Sequence, residues 1–539
     1  MLSFVNLIVI LGIFWIARTF RNVLFWVYLW QLKEYHIDRF IDHFRTKKGK
    51  KIFINYLYLL KVALLVLLIF RFSDAFWPVL LIYFGESLIT VYLFAKKSIK
   101  IPVATIKTIL LVFILLVLSI FYLNLSIIKY ESLEKLSLHL IIFDVFLGFF
   151  ASVIVLLVQP FFVLVRNNTI KKATQKIKRF GELKVIAITG SYGKTSTKEF
   201  LKTILSEKFN VLATPDHKNS EIGISQTILN ELNGKHDIFI VEMGSYKKGG
   251  INLLCDIVKP QIGIVTGVNE QHLATFKSMG NLLSAEGGQE LLFCLKKDGL
   301  LVVNGDNKYC MDLFKKANID KKMYSIESSR VDADIYSKEI TVDKHFLDFI
   351  AIQKGGQAGH FNVNAIGRQN IQNLLGAILI ARELGMSFEE ISKSAKKILQ
   401  KQSGIILKKG AYGLNIIDSS YSSNPDGVIA DLDYLSIFGG KKVIVMPCLI
   451  ELGKKSEEVH RQIGKKIATV CDLAIITTED KFKILKESAT LSGMNENNIV
   501  LSEKPLEILN LITTFCKSGD AVLLEGRVPI EIIKLLNKK

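Results

Sequence analysis

Apolar residues run almost unbroken over 2–17, 52–70, 75–95, 108–125 and 138–165. The last four runs are at least 18 residues long, enough to cross a bilayer's hydrocarbon as helices at 1.5 Å rise per residue. The first is shorter, but Asn22–Leu32 extends its pattern beyond Arg18 and Arg21. The pattern predicts a helical membrane domain of five spans over 1–165. Leu32–Arg45 alternates apolar and charged residues at helical spacing, as an element lying along the inner membrane surface does. Beyond residue 180 the period changes. Short β-branched runs such as Lys184–Thr189, Asp237–Val241, Gln261–Val265, Lys442–Met446 and Ala521–Leu524 alternate with helical stretches, the signature of βαβ units and a parallel sheet. The expected layout is a membrane domain (1–165), a basic linker (166–183), a parallel α/β domain (184–402) and a smaller Rossmann-like α/β domain (403–539).

The net charge of +19 sharpens this division. Residues 1–165 hold 17 Lys+Arg against 8 Asp+Glu, and 166–179 add six basic residues and no acid. Residues 180–539 are nearly balanced, 46 against 42, so no folded face carries the excess that nucleic-acid binding requires. Segments 18–51, 96–107 and 166–179 hold nine, four and six Lys+Arg, whereas Arg71 and the 126–137 loop hold three together. Under the positive-inside rule this predicts a multi-pass cell (inner) membrane protein with an outside N-terminus and a cytoplasmic C-terminal half. No basic stretch precedes the first apolar run and no A-x-A site follows it, which argues against a cleaved signal peptide. All six cysteines follow residue 180 without metal-ligand spacing, as expected of reduced cytosolic thiols. Lys61, Glu86 and Asp144 fall inside apolar spans, where ionisable groups mark either a structural ion pair or a lipid or proton pathway.

Between the run 184–189 and the helical stretch Lys194–Phe209 sits Gly190-Ser191-Tyr192-Gly193-Lys194-Thr195-Ser196. A strand, a glycine turn, G-K-T and a helix make a phosphate cradle, in which backbone N–H groups face the anion, the lysine reaches the outer phosphates and the hydroxyl holds Mg²⁺. Ile188 occupies the first glycine position of the common form of this loop. Two further strands end in Glu242 and near His272. In a parallel sheet the C-terminal strand ends share one edge, so both are candidate metal ligands beside the loop.

From Val185 onward the chain resembles the Mur ligases, ATP-dependent amide-bond formers of cell-wall synthesis, and within them the branch that adds D-alanyl-D-alanine. The resemblance rests on ITGSYGKTSTK (188–198), TPDHKNSEIGI (214–224), VEMGSYKKGGI (241–251), GIVTGVNEQHL (263–273), GRQNIQN (367–373), DSSYSSNPDG (418–427) and ELGKKSEEVHRQIG (451–464). It implies that ATP and Mg²⁺ are cofactors and that the catalytic residues are Lys194, Glu242 and His272. Lys194 would bind the β/γ-phosphates, Thr195 and Glu242 one Mg²⁺, and His272 a second. Asn370 would contact adenine, and Asp418, Tyr421 and Asn424 would close on the nucleotide. The implied partners are a muramyl-peptide acceptor, small-molecule or lipid-linked, an amino acid or dipeptide donor, and membrane lipid, with no nucleic acid. The alternatives are an amide ligase of another pathway, such as a poly-glutamate type, or a degenerate nucleotide-binding scaffold for wall enzymes.

Three departures bear on the transfer. The family carries a carbamylated, metal-binding lysine after the histidine, whereas Ser284–Leu295 has none; Glu286 or Glu290 would supply the carboxylate. The family's Gly-Arg at the start of the last domain is Gly404-Ile405 here, with Lys408 or Lys409 as substitutes. Soluble members bind UDP with an N-terminal globular domain, where this chain has its basic linker and membrane runs.

Overall fold

The structure is a computed structural model and describes residues 4–70, 76–130, 132–215, 218–326, 332–420 and 423–537. It divides into two units, 1–167 and 168–539.

In the first unit the helices are α1 (Phe4–Leu32), α2 (Ile37–His43), α3 (Lys47–Phe53), α4 (Tyr56–Ile69), α5 (Phe76–Ala95), α6 (Ile106–Lys129) and α7 (Leu133–Ile177), the last running on into the second unit. Four of them, α1, α5, α6 and α7, are long and apolar enough to cross a membrane. The expected span 52–70 is instead broken. Asn55 accepts a hydrogen bond from Tyr58 N and starts α4 afresh, leaving 14 helical residues, about 21 Å long. Hydrogen bonds fix the path of the chain nonetheless. The Gln31 amide at the end of α1 exchanges two bonds, 3.0 and 2.7 Å, with Val103 just before α6. Lys107 donates to Gln159 of α7 at the same end, and Tyr130 meets His139 at the other. α4 is the short member of the bundle and brings Lys61 to Glu86 of α5 and Asp144 of α7.

Trp15, Val27, Trp30, Leu111 and Leu140 fill the bundle interior, with the Trp15 indole donating to Leu140 O and the Trp30 indole to Ser152 Oγ. Val9, Leu81, Phe113 and Leu157 face outward, a surface suited to lipid rather than water. Arg18 and Arg21 correct the loop reading of 18–51: both lie within α1 and turn inward, leaving seven Lys+Arg in 33–51.

In the second unit a nine-stranded sheet has the order β2-β3-β1-β4-β5-β6-β7-β8-β9. Its strands are β1 (Lys184–Thr189), β2 (Val211–Ala213), β3 (Ile238–Glu242), β4 (Ile262–Val265), β5 (Leu300–Asn304), β6 (Asp320–Ser325), β7 (Ile335–Val342), β8 (Leu347–Gln353) and β9 (Ala358–Val363). Pairing is parallel as far as β7 and antiparallel from β7 to β9, because those last connections are too short for a crossover. A second sheet, β10-β11-β15-β12-β13-β14, comprises β10 (Ile406–Lys409), β11 (Asn415–Ser419), β12 (Lys442–Met446), β13 (Leu473–Ile476), β14 (Ile499–Leu501) and β15 (Ala521–Glu525). Only β10 is antiparallel. The change of sheet falls at the turn Gln400–Ser403. Most of the expected linker is helix: α7 continues to Ile177, and its Ala173 and Ile177 are buried in the core beside β1.

Candidate active site

β1 is buried along Val185–Thr189 and delivers the chain to the Gly190–Gly193 turn, from which α8 (Lys194–Leu205) departs. Both glycines are dictated by space and backbone. Gly190 has φ +140° and a Cβ there would lie 2.3 Å from Thr266 Oγ1. Gly193 has φ +76° and a Cβ there would lie 2.5 Å from Asn373 Oδ1. The Lys194 ammonium arches back over the turn to Gly190 O at 2.5 Å and Ser191 O at 3.3 Å. The first-turn N–H groups of α8 and its dipole point toward the same place, an arrangement suited to an anion. The Tyr192 ring packs beneath the turn against Gly267, Asn307 donates to its hydroxyl, and burial pushes that hydroxyl's pKa up. Ser196 lies beside Gly404 at the domain junction.

Two buried carboxylates flank this turn. Glu242, at the end of β3, accepts from Thr195 Oγ1 (3.1 Å) and Asn219 Nδ2 (3.0 Å), and lies 3.3 Å from the fully buried Lys198 ammonium. On the other side Glu286 accepts from Ser191 Oγ (2.9 Å) and meets His272 Nδ1 at 3.1 Å. Glu290 is differently engaged. Its oxygens accept from Gly249 N, Asn252 N and Ser284 Oγ, capping the helix Gly250–Val258. Of the two glutamates offered by the sequence, the one facing the phosphate turn is Glu286.

The remaining expected residues lie in or near the junction with the second sheet. Asn370 is buried, its amide donating to Ile366 O and Ser403 O and its oxygen accepting from Asn373; in this arrangement it clamps the junction. Asp418, one residue before the end of β11, accepts from Ser420 and pairs with Lys408 at 3.2 Å. Asn424 caps the helix Pro425–Ser436 and also accepts from Asn269, which donates to Asp426 as well. Tyr421 lies outside the described residues. Lys198, Asn219 and Glu451 were not singled out from the sequence. Glu451 reaches His272 Nε2 at 3.8 Å from the second sheet's side, and its carbonyl accepts from Ala274 N. Lys198 did carry a signal, since it stands one helical turn after Lys194 on the same face.

Among the described residues no three His, Cys, Asp or Glu side chains form a cage that could hold a metal ion. The donor set is nevertheless suited to Mg²⁺, which takes one or two carboxylates or hydroxyls and completes its shell with water and phosphate oxygens.

Residues 188–381 match the Mur ligase middle domain, and 406–528 match the Mur ligase, glutamate ligase domain. The UDP-N-acetylmuramoyl-tripeptide–D-alanyl-D-alanine ligase of Buchnera aphidicola subsp. Baizongia pistaciae (strain Bp) is 31% identical over 309 residues, covering 57% of this chain and 65% of that protein. The enzyme of the same name from Synechocystis sp. (strain ATCC 27184 / PCC 6803 / Kazusa) is 30% identical, covering 52% and 59%. The chain thus spans less than two thirds of the length of either relative. A crystal structure of MurF from Acinetobacter baumannii has the same fold in this region, with a TM-score of 0.60, 24% identity and coverage of 68% of this chain and 79% of that one.

Proposed function

We propose that this chain, which belongs to the Mur ligase family over residues 188–528, is an ADP-forming, ATP-dependent amide ligase that joins an amino acid or a D-alanyl-D-alanine-like dipeptide to a muramyl-peptide acceptor. The reaction class activates a carboxylate as an acyl phosphate, which an amine then attacks with release of phosphate. The observation that carries the reading is that two hydroxyls of one phosphate turn, Ser191 and Thr195, are each hydrogen-bonded to a different buried carboxylate. Such a site does its chemistry by neutralising and positioning charge, and needs no protein nucleophile.

Lys194 and the N-terminus of α8 would hold the outer phosphates. Thr195 with Glu242, and His272 with Glu286, would hold Mg²⁺, which when bound offsets the negative charge that develops on phosphate. Asn219 and Lys198 orient the Glu242 carboxylate from behind, and Ser191 and His272 do the same for Glu286. The second domain meets the site through Asn424, Asp426 and Glu451, so closure across the Gln400–Gly404 turn excludes water from the activated carboxylate. The degenerate-scaffold alternative is disfavoured because a carboxylate stands beside His272 without the family's lysine.

The first unit is read as a multi-pass bundle in the cell membrane. Its basic segments 33–51 and 96–105 lie at one end of the bundle, the end from which α7 leads to the ligase unit, and by charge that end is cytoplasmic. Residues 166–183, the polar end of α7 and six residues more, are all the chain between the last apolar run and β1, and so short a tether favours an acceptor carried on a membrane lipid, of polyprenyl type, over a UDP-linked one from solution. The test is ADP release by the full chain in detergent or vesicles with a muramyl tripeptide and D-alanyl-D-alanine. No acceptor-dependent ADP release would overturn the ligase reading, and a higher kcat/KM on UDP-linked than on lipid-linked acceptor would overturn the acceptor assignment.

A further inference from the structure

Arg18, Arg21, Lys61, Glu86 and Asp144 come from four different helices of the first unit and meet in its interior around Arg18, which stands 14 residues from either end of α1. At 1.5 Å per residue that is about 21 Å from each end of the helix, the level at which an uncompensated charge is most costly in a bilayer. Three cations face two carboxylates. Every carboxylate oxygen is already engaged. Glu86 Oε1 takes Arg18 Nε at 2.7 Å and Glu86 Oε2 takes Lys61 at 2.5 Å. Asp144 Oδ2 takes Lys61, and its Oδ1 takes the Asn22 amide at 3.0 Å. Arg21 is the surplus cation. It comes no closer than 3.8 Å to Glu86 Oε1, the oxygen Arg18 already holds, and its Nη1 is buried with no hydrogen-bond partner among the described residues.

These side chains line a cavity of about 200 Å³. At about 30 Å³ per water that is room for roughly six waters, or for one tetrahedral oxyanion with part of its shell. Its remaining walls are of two kinds. Asn55 and Tyr58 bring polar atoms from the junction of α3 and α4, while Phe25, Trp26 and Phe53 offer apolar surface. A guanidinium presents its N–H groups as a planar fork that matches phosphate oxygens.

We propose that this cavity is a binding site for a phosphate monoester, with Arg21 as the residue that recognises it and the aromatic wall accepting the chain of an amphiphile. The site lies outside the ligase domains and its test reads binding alone, so it stands or falls apart from the ligase reading. The phosphate has two conceivable sources, a membrane lipid headgroup or a soluble phosphate. All four tryptophans (Trp15, Trp26, Trp30 and Trp77) are in this unit, one of them on the cavity wall, so intrinsic fluorescence reports on it directly.

The full chain is placed in phosphatidylcholine nanodiscs and titrated in one arm with phosphatidic acid and in the other with inorganic phosphate. Saturable fluorescence change in the first arm alone assigns the site to a lipid headgroup, and in the second arm as well to phosphate from either side. In either case Arg21→Gln is expected to weaken binding at least tenfold, and Arg21→Lys to keep most of it. Arg21→Gln also leaves the two carboxylates, Glu86 and Asp144, balanced by the two cations Arg18 and Lys61, so in plain phosphatidylcholine its thermal midpoint should equal or exceed that of the unaltered chain. No saturable binding in either arm, or equal binding by Arg21→Gln with intact far-UV circular dichroism, overturns the proposal. A marked loss of stability in that variant without any anion effect would also overturn it, and would make Arg21 part of a closed structural ion network.

Discussion

Replacing Glu242 by Gln separates what this carboxylate does for the fold from what it does for the reaction. Its side chain is 5% exposed and sits 3.3 Å from the Lys198 ammonium, which has no exposure at all. At an effective dielectric constant of about 20 the pair attracts with about 5 kcal/mol, an upper bound before desolvation is counted. Removing one partner of a buried pair typically costs 3–5 kcal/mol, because the other charge is left uncompensated. Lys198 keeps Glu199 at 3.2 Å, and glutamine retains a hydrogen-bonding oxygen for Thr195 or Asn219, so the expected cost is at the lower end, about 3 kcal/mol. Locally that amounts to faster hydrogen exchange of the β1 and β3 amides by on the order of 10²-fold. Lys198→Met alone should lose a comparable amount. The double variant Glu242→Gln/Lys198→Met buries no unpaired charge and should recover to within about 1 kcal/mol of the unaltered chain. ADP release, by contrast, should fall at least about 10²-fold in both variants that lack Glu242 and not return in the double variant. Simple addition of the two stability losses would refute the coupling. Recovery of ADP release in the double variant would show that Glu242 has no part in the chemistry.

Lys194→Ala should abolish ADP release, by about 10²-fold or more, with unchanged circular dichroism, since its ammonium caps loop carbonyls rather than entering the core. Glu286→Gln should lose activity, whereas Glu290→Gln should mainly lower stability by about 1–2 kcal/mol through the lost cap of Gly250–Val258; a carboxylate needs no bicarbonate, so depleting CO₂ should leave the initial rate of ADP release unchanged. Lys408→Ala, which removes the cation paired with Asp418, should raise the KM for ATP about tenfold while Lys409→Ala does not, and equal effects would dissociate Lys408 from nucleotide binding. Burial, with the neighbouring Asp431 charge, raises the Glu525 carboxyl well above its ordinary value, so the folded state holds a proton the unfolded chain has lost. Stability of the second unit should therefore fall as pH rises from about 4.5 toward the raised pKa, and Glu525→Gln should flatten that slope in pH-dependent unfolding.

The phosphate turn was legible because its information is local: a buried strand, two glycines with positive φ and a helix start all lie within the 11 residues Lys184–Lys194. The strand-end position of Glu242 followed from the parallel sheet. The choice between Glu286 and Glu290 did not, because they stand only four residues apart, Glu286 in the turn before the short helix Gln289–Cys294 and Glu290 in its first turn, and only the third dimension shows Glu290 folded back on Gly249 and Asn252. The same limit applied in the membrane unit. Arg18 and Arg21 looked like the edge of a loop, since their partners Glu86 and Asp144 lie far along the chain and periodicity carries no information about such pairings. The break before α4 was hidden inside an apolar run, where a single Asn55 outweighs the hydropathy of its neighbours by offering a helix cap. The antiparallel strands β8 and β9 were missed for want of a pattern that separates a hairpin from a crossover.

The departures of the ligase region from its family have a common physical form. Where the family acquires a carboxylate by modifying lysine, Glu286 would bring one as part of its own side chain, oriented by Ser191 and His272 and formed without dissolved CO₂. Where the family has arginine, Ile405 is 1% exposed and packs into the core of the second domain. A guanidinium at that position would be an unpaired charge in an apolar cluster, so the chain cannot restore the family's contact there without repacking the domain. The cation offered at this edge of the site is instead Lys408, two residues along β10 from Ile406, the register partner of Asp418, and its ammonium reaches that carboxylate at 3.2 Å. In both cases the charge that phosphate chemistry demands would be met, under the proposed function, by a different residue from a neighbouring element. Glu286 is buried, and a buried carboxylate costs stability unless partners compensate it; here the partners are Ser191 of the turn and His272, so the groups that compensate its burial are those the proposed reaction would use.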